Sequence, residues 1–120
     1  MSRRRAVAAA LAVAATAALA PPATSVGVRG LEFSLVLSRS VVRAGPAVVQ
    51  FQNAGKDPHD LRMRRVGGGV ERGTGEIGPG SSEGFRIDWL SRGARYRLWC
   101  SLPEHAGLGM EATLRVKRRR

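Results

Sequence analysis

A single cysteine, Cys100, and only two histidines, His59 and His105, stand among the 120 residues. The lone cysteine excludes an intramolecular disulfide, the usual staple of small exported domains. Acidic residues are scarce too, with 9 Asp+Glu against 20 Lys+Arg and a formal net charge of +11. Yet the arginines are scattered. No basic stripe with interleaved aromatic side chains runs along the chain, and this argues against nucleic acid as a partner. There is no internal repeat and no long stretch with a period of 3.6, so repeat architectures and helical bundles are excluded. At this length only one small domain with a single modest core is expected.

The one long apolar run is at the front, in "MSRRRAVAAALAVAATAALAPPATS". Three arginines, Arg3 to Arg5, precede small and apolar residues from Ala6 to Ala20, and then come Pro21 and Pro22. A basic start with a short apolar middle is the layout of an export signal. A membrane-spanning helix needs ~20 strongly apolar residues, and this alanine-rich run falls short. The expected organisation is a signal peptide over residues 1–23, cleaved after a residue between about 17 and 23, a domain over 24–116 and a basic tail over 117–120. The arginine-rich start also resembles a twin-arginine signal. Setting Arg3, Arg4 and Arg5 aside leaves 17 Lys+Arg against 9 Asp+Glu, so the exported domain stays basic. Such a domain is drawn to acidic proteins or to an anionic membrane surface.

From Leu31 onward apolar and polar residues alternate. Leu31, Phe33, Leu35 and Leu37 are expected on one side of a half-buried strand, with Val36 the exception. The period of two returns at "AVVQFQN" (Val49 and Phe51 inward) and at "GFRIDWL" (Phe85, Ile87 and Trp89 inward). It returns again at "YRLWC" (Tyr96, Leu98 and Cys100 inward) and at "MEATLRV" (Ala112, Leu114 and Val116 inward). Between these lie the turn signals "RAGP", "NAGKDP", "GGG", "IGPGSS" and "SRG". Short strands punctuated by Gly and Pro predict an all-β sandwich or barrel. The glycine-rich stretch from Val66 to Gly80 reads as loops around one irregular edge segment.

The stretch "CSLPEHAGLGM" then acquires a setting. Cys100 ends one inward-facing strand pattern, Met110 begins the next, and His105 lies midway in the loop between them. His59, at the head of "HDLRMRRV", can reach the same end of a sandwich. A lone exported thiol is a buried inert hydrophobe, an intermolecular bridge or a thiolate held by metal. If the four side chains converge, their chemistry is selective. Thiolate and thioether are soft and suit Cu(I), while imidazole also binds Cu(II). Zinc has little use for a thioether and usually asks for more cysteine or a carboxylate. Met63, the other methionine nearby, falls on a strand and is expected to pack.

These residues resemble the cupredoxins, the type I or blue copper proteins, over nearly the whole exported region. "AGPAVVQFQNAGKDPHDL" is similar to the strand and loop that carry the first histidine ligand in that family. "IGPGSSEGFRIDWLSRGARYRLWCSLPEHAGLGMEATLRV" resembles its PG turn, its G-x-x-Y turn and its C-x4-H-x4-M ligand loop. The resemblance implies a Greek-key β-sandwich holding one copper per chain. His59, Cys100 and His105 would be equatorial ligands and Met110 the axial one, with Asn53, Asp60 and Ser101 supporting them. Two departures stand out: Asp60 follows the first histidine where asparagine is common, and Glu104 precedes the second where glycine is common. A carboxylate beside copper is expected to stabilise Cu(II). The absence of a second cysteine from the loop argues against a binuclear centre.

Four protein ligands leave no open position, so an electron carrier rather than an enzyme is expected. Leu102, Pro103, Ala106 and Leu108 would form a dry patch around His105 where redox partners with an acidic face dock, the carrier itself being a monomer in the periplasm or outside the cell. Copper delivery or storage is the alternative use of the same ligands. A thiol enzyme using Cys100 with His105 is a third, and it lacks an obvious orienting group or oxyanion site.

Overall fold

The computed structural model describes residues 22–119. The expected export signal therefore lies outside the described residues apart from Pro22 and Ala23, as does Arg120 of the tail. Among the described residues there are nine strands and no helix. They are β1 (Thr24–Leu31), β2 (Ser34–Leu37), β3 (Val41–Val42), β4 (Gly45–Asn53), β5 (Arg62–Arg65), β6 (Arg72–Gly73), β7 (Ser82–Leu90), β8 (Arg95–Trp99) and β9 (Glu111–Val116). One sheet has the order β2-β1-β4-β7 and the other β3-β9-β8-β5-β6.

Both sheets are mixed, because β1 runs parallel to β4 and β3 parallel to β9. Each sheet offers one apolar face to a shared core. Val26, Val28, Ala47, Val49 and Phe51 come from the first sheet, and Met63, Tyr96, Leu98, Leu114 and Val116 from the second. Alternation decides which side is buried: in β4, Val49 and Phe51 are fully buried while Gln50 and Gln52 are exposed. Met63 packs in this core opposite Leu98, as its place on a strand implied.

Two sequence expectations need correction. The alternation from Leu31 to Leu37 is not one strand, since Glu32 and Phe33 form a two-residue turn that folds β2 back on β1 and pairs Leu31 with Ser34. Across such a turn, paired residues share a face, so Leu31 changes sides relative to Leu35 and Leu37. Val36 pairs with Arg29 and is exposed, which accounts for it as the exception. Trp89, expected inward with Phe85 and Ile87, is 57% exposed. Strand β7 is the edge of its sheet, and Phe85 and Ile87 are themselves only half-buried.

The glycine-rich stretch does hold one short edge strand, β6, at the margin of the second sheet. At the G-x-x-Y turn, Gly93 takes a φ of 73° and the Tyr96 hydroxyl accepts the Ser91 N–H at 2.9 Å. At the start of the basic tail, the Lys117 N–H donates to the Val42 carbonyl at 2.8 Å, so the strand pairing continues to that residue.

Candidate metal centre

Five chain segments meet at one pole of the sandwich: the β1–β2 turn, the end of β4, the run into β5, the end of β8 and the start of β9. Asn53 closes β4 there. Fully buried, it donates through Nδ2 to the carbonyls of Asp57 (2.8 Å) and Ile77 (3.0 Å) and accepts the Gly55 N–H (3.0 Å). Its role is to shape the loop that leads to His59. The backbone of His59 is then fixed by a reciprocal pair with Ile77, N–H to O at 3.1 Å and O to N–H at 2.8 Å.

Across the pole, the loop from Cys100 to Met110 is closed at its mouth, where the Cys100 N–H donates to the Met110 carbonyl at 3.1 Å. Turns within the loop, including Met110 N–H to His105 O at 3.1 Å, lift His105 over the buried thiol. Glu104 takes a φ of 70° to make this turn, the left-handed region that favours glycine. The glycine common at this place in related loops thus has a backbone reason.

The structure brings His59, Cys100 and His105 together. One donor atom from each lies within 4.8 Å of the others. The Cys100 Sγ is 3.9 Å from His59 Nδ1 and 3.5 Å from His105 Nδ1, and the two Nδ1 atoms are 3.2 Å apart. A triangle with these edges suits one ion bonded at ~2.0–2.3 Å to each corner. His59 and Cys100 are fully buried and His105 half-buried, with the Phe33 ring edge-on to it at 4.9 Å. Met110 is fully buried at the loop mouth beside Cys100. Its methyl group packs so closely on β1 that a Cβ on Gly30 would stand 3.0 Å from it.

Burial pushes the Cys100 thiol up, opposed by backbone hydrogen bonds from Asp60 and Leu102 and reinforced by the Asp60 carboxylate. A buried thiol of this kind is poorly suited to be a free nucleophile, and full burial also keeps it from a second chain's cysteine. A metal ion supplies what the site lacks, a positive charge that favours the thiolate. Asp60 accepts the Ser101 N–H at 2.6 Å and the Ser101 hydroxyl as well. The aspartate therefore ties the His59 segment to the Cys100 segment.

Glu32 is not among the site residues the sequence singles out. Its Oε1 accepts the N–H groups of Lys56 and Asp57 and lies 3.3 Å from His59 Nε2. The carboxyl is held down at about 2, chiefly by the Asp57 N–H, although partial desolvation works the other way. Of the residues expected to form a docking patch, Leu108 is 58% exposed and Pro103 exposed, while Leu102 and Ala106 are half-buried. Phe33 adds an apolar side chain that the turn alone brings there.

No protein-family model matches the chain, and no curated protein matches it in sequence. Solved structures do match. Reduced auracyanin from the photosynthetic bacterium Roseiflexus castenholzii superimposes with a TM-score of 0.64 at 19% identity, over 80% of this chain and 98% of its own. Reduced rusticyanin gives 0.55 at 22%, over 81% and 82%. The copper nitrite reductase of Nitrosomonas europaea gives 0.57 at 15%, but there the match covers 42% of the longer chain and 80% of this one. The chain has the cupredoxin fold, and its His59, Cys100 and His105 cluster fits a single type I copper site.

Proposed function

We propose that the protein is an exported one-electron carrier holding one type I copper, with His59, Cys100 and His105 as equatorial ligands and Met110 as the axial one. The observation that carries this reading is the convergence of two imidazole Nδ1 atoms on a buried thiol, within 4.8 Å. When bound there, copper would be held by the imidazoles of His59 and His105, the Cys100 thiolate and the Met110 thioether, and would supply a reversible one-electron couple. The chain's own residues do the rest. Asn53 and Ile77 hold the His59 segment, Asp60 and Ser101 join it to Cys100, and the 100–110 turns hold His105 at the rim. A framework fixed this way has little to move when charge changes, so reorganisation is small.

Electron entry and exit are assigned to the His105 edge, ringed by Phe33, Pro103, Ala106 and Leu108. The basic body would steer partners with an acidic face, and it would attract the chain to an anionic membrane surface. A cleft at the opposite pole is lined by Arg43, Arg92, Lys117, Arg119 and the exposed Trp89, which favours that second attraction. The basic, alanine-rich front of the sequence supports export over residues 1–23, with a working domain of 24–116 that acts as a monomer. Delivery or storage of copper is the weaker reading, because His59, Cys100 and Met110, fully buried in a hydrogen-bonded frame, disfavour easy metal exchange. An enzyme is disfavoured as well, since four protein donors leave no place for substrate.

The test is the visible spectrum of the protein with Cu(II), beside Cys100→Ser, followed by voltammetry. An intense band that is absent from the variant and bleaches reversibly on reduction is expected. A colourless protein that binds Cu(I) alone would favour copper handling instead.

A further inference from the structure

We propose that Glu32 is a positioning residue for His59, fixing its ring tautomer and placing a carboxylate against the ligand's far side; this rests on the copper reading above. The inference comes from geometry. Imidazole has two nitrogens, and His59 turns Nδ1 toward Cys100 and His105 while Nε2 lies 3.3 Å from Glu32 Oε1. A carboxylate can only accept, so Nε2 carries the hydrogen and donates, and the Nδ1 lone pair is left facing the cluster.

Glu32 is itself held in place. Its Oε1 accepts two successive backbone N–H groups, Lys56 and Asp57, from the loop that Asn53 shapes. The approach is close enough that a Cβ on Gly55 would overlap the Glu32 carboxylate and displace it. Glu32 sits in the two-residue turn between β1 and β2, so this contact also anchors the turn to the first ligand's loop. No other side chain is within hydrogen-bonding distance of His59 Nε2 among the described residues.

Two effects follow. The fixed tautomer prepares His59 to bind without a ring flip or proton shift. The carboxylate raises the basicity of the ligand and stabilises Cu(II) over Cu(I), because the extra negative charge matters more to the more highly charged ion. Supporting partners of this kind are worth ~10–100-fold in metal affinity.

Glu32→Gln keeps the shape and an acceptor but removes the charge, while Glu32→Ala removes both. For Glu32→Gln the expected result is Cu(II) binding weakened about tenfold, Cu(I) binding nearly unchanged, and a reduction potential raised by ~59 mV for each tenfold change in their ratio. In the metal-free protein, ¹⁵N spectra of the His59 ring should show hydrogen on Nε2 in the wild type and in Glu32→Gln. The Glu32→Ala ring should lose that preference, and Gly55→Ala, which displaces the carboxylate, should behave like it. An unchanged potential in Glu32→Gln together with an unchanged tautomer in Glu32→Ala would overturn the proposal, whatever either variant did to thermal stability. Should Glu32→Ala not fold, Gly55→Ala and the potential of Glu32→Gln decide the matter. A wild type that forms no copper thiolate band would sink the copper reading instead, and the metal-free ring spectra would still decide whether Glu32 positions His59.

Discussion

Asp60 and Ser101 join the His59 and Cys100 segments through one side chain: the aspartate accepts both the backbone N–H, at 2.6 Å, and the hydroxyl of the serine that follows Cys100. Two bonds to one carboxylate at a buried residue link the His59 and Cys100 segments in addition to the sheet pairing of β5 with β8. Hydrogen bonds to a charged acceptor contribute ~1.5–3 kcal/mol. Asp60→Ala is therefore expected to lower the unfolding free energy of the metal-free protein by about 2 kcal/mol, and Ser101→Ala, which keeps the N–H bond, by about half as much. Urea unfolding of both variants and the double variant checks this, and the pair should be non-additive because they share one contact.

Gly30 faces the core opposite Phe51 and Met110. A Cβ there would stand 2.8 Å from the Phe51 ring and 3.0 Å from the Met110 methyl group. Gly30→Ala should destabilise the fold by ~1–3 kcal/mol through overpacking. It should also alter the copper spectrum, because one of the two side chains pressed to give way, beside the Phe51 ring, is the proposed axial ligand. A variant as stable as the wild type with an identical spectrum would show that β1 does not press on Met110.

Glu104 makes its turn at a φ of 70° without the freedom of glycine. The left-handed conformation costs an ordinary residue ~1–2 kcal/mol. Glu104→Gly should recover about 1 kcal/mol in urea unfolding, the rest being offset by the greater freedom of glycine in the unfolded chain. Copper affinity should change little, since the turn is kept.

Much of this site was readable beforehand, and the limits of that reading have physical causes. Cys100 and His105 lie five residues apart on one short loop, so local spacing was enough to bring their donor atoms together. His59 needed only a strand partner. Glu32 and Phe33 were hidden because their turn contains no Gly, Pro, Asn or Asp, and because alternation runs on through it. The parallel pairing of β1 with β4 is likewise a non-local contact that no short window of sequence records. Ile77 was obscured by its glycine-rich surroundings, yet its backbone holds the first histidine.

Acid should weaken the Glu32 contact. Its folded pKa of about 2 lies below the ordinary 4.5, so the unfolded chain binds the proton more tightly. The stabilisation is thus fully present above 4.5 and is lost as pH falls from there toward 2. Unfolding of the metal-free protein between these limits should be less acid-sensitive in Glu32→Gln than in the wild type. Equal slopes in the two would mean that other carboxylates govern the acid limb.

The two surfaces assigned to partner binding can be separated by salt. Leu108 is 58% exposed beside the His105 rim, whereas the basic cleft around Trp89 lies at the far pole. Steering by the body's charge acts over distance and weakens as ions screen it, within ~8 Å at physiological ionic strength. Contact at an apolar rim acts only once the partners touch. Leu108→Asp should therefore slow electron exchange with an acidic redox partner about tenfold, equivalent to ~1.4 kcal/mol of lost docking. It should leave the absorption band and potential unchanged. Raising the salt should slow exchange for the wild type, but the deficit of Leu108→Asp should persist, because the lost contact is not a long-range one. If salt alone abolished the difference, the variant would be acting through charge repulsion, and the rim would not be the docking surface.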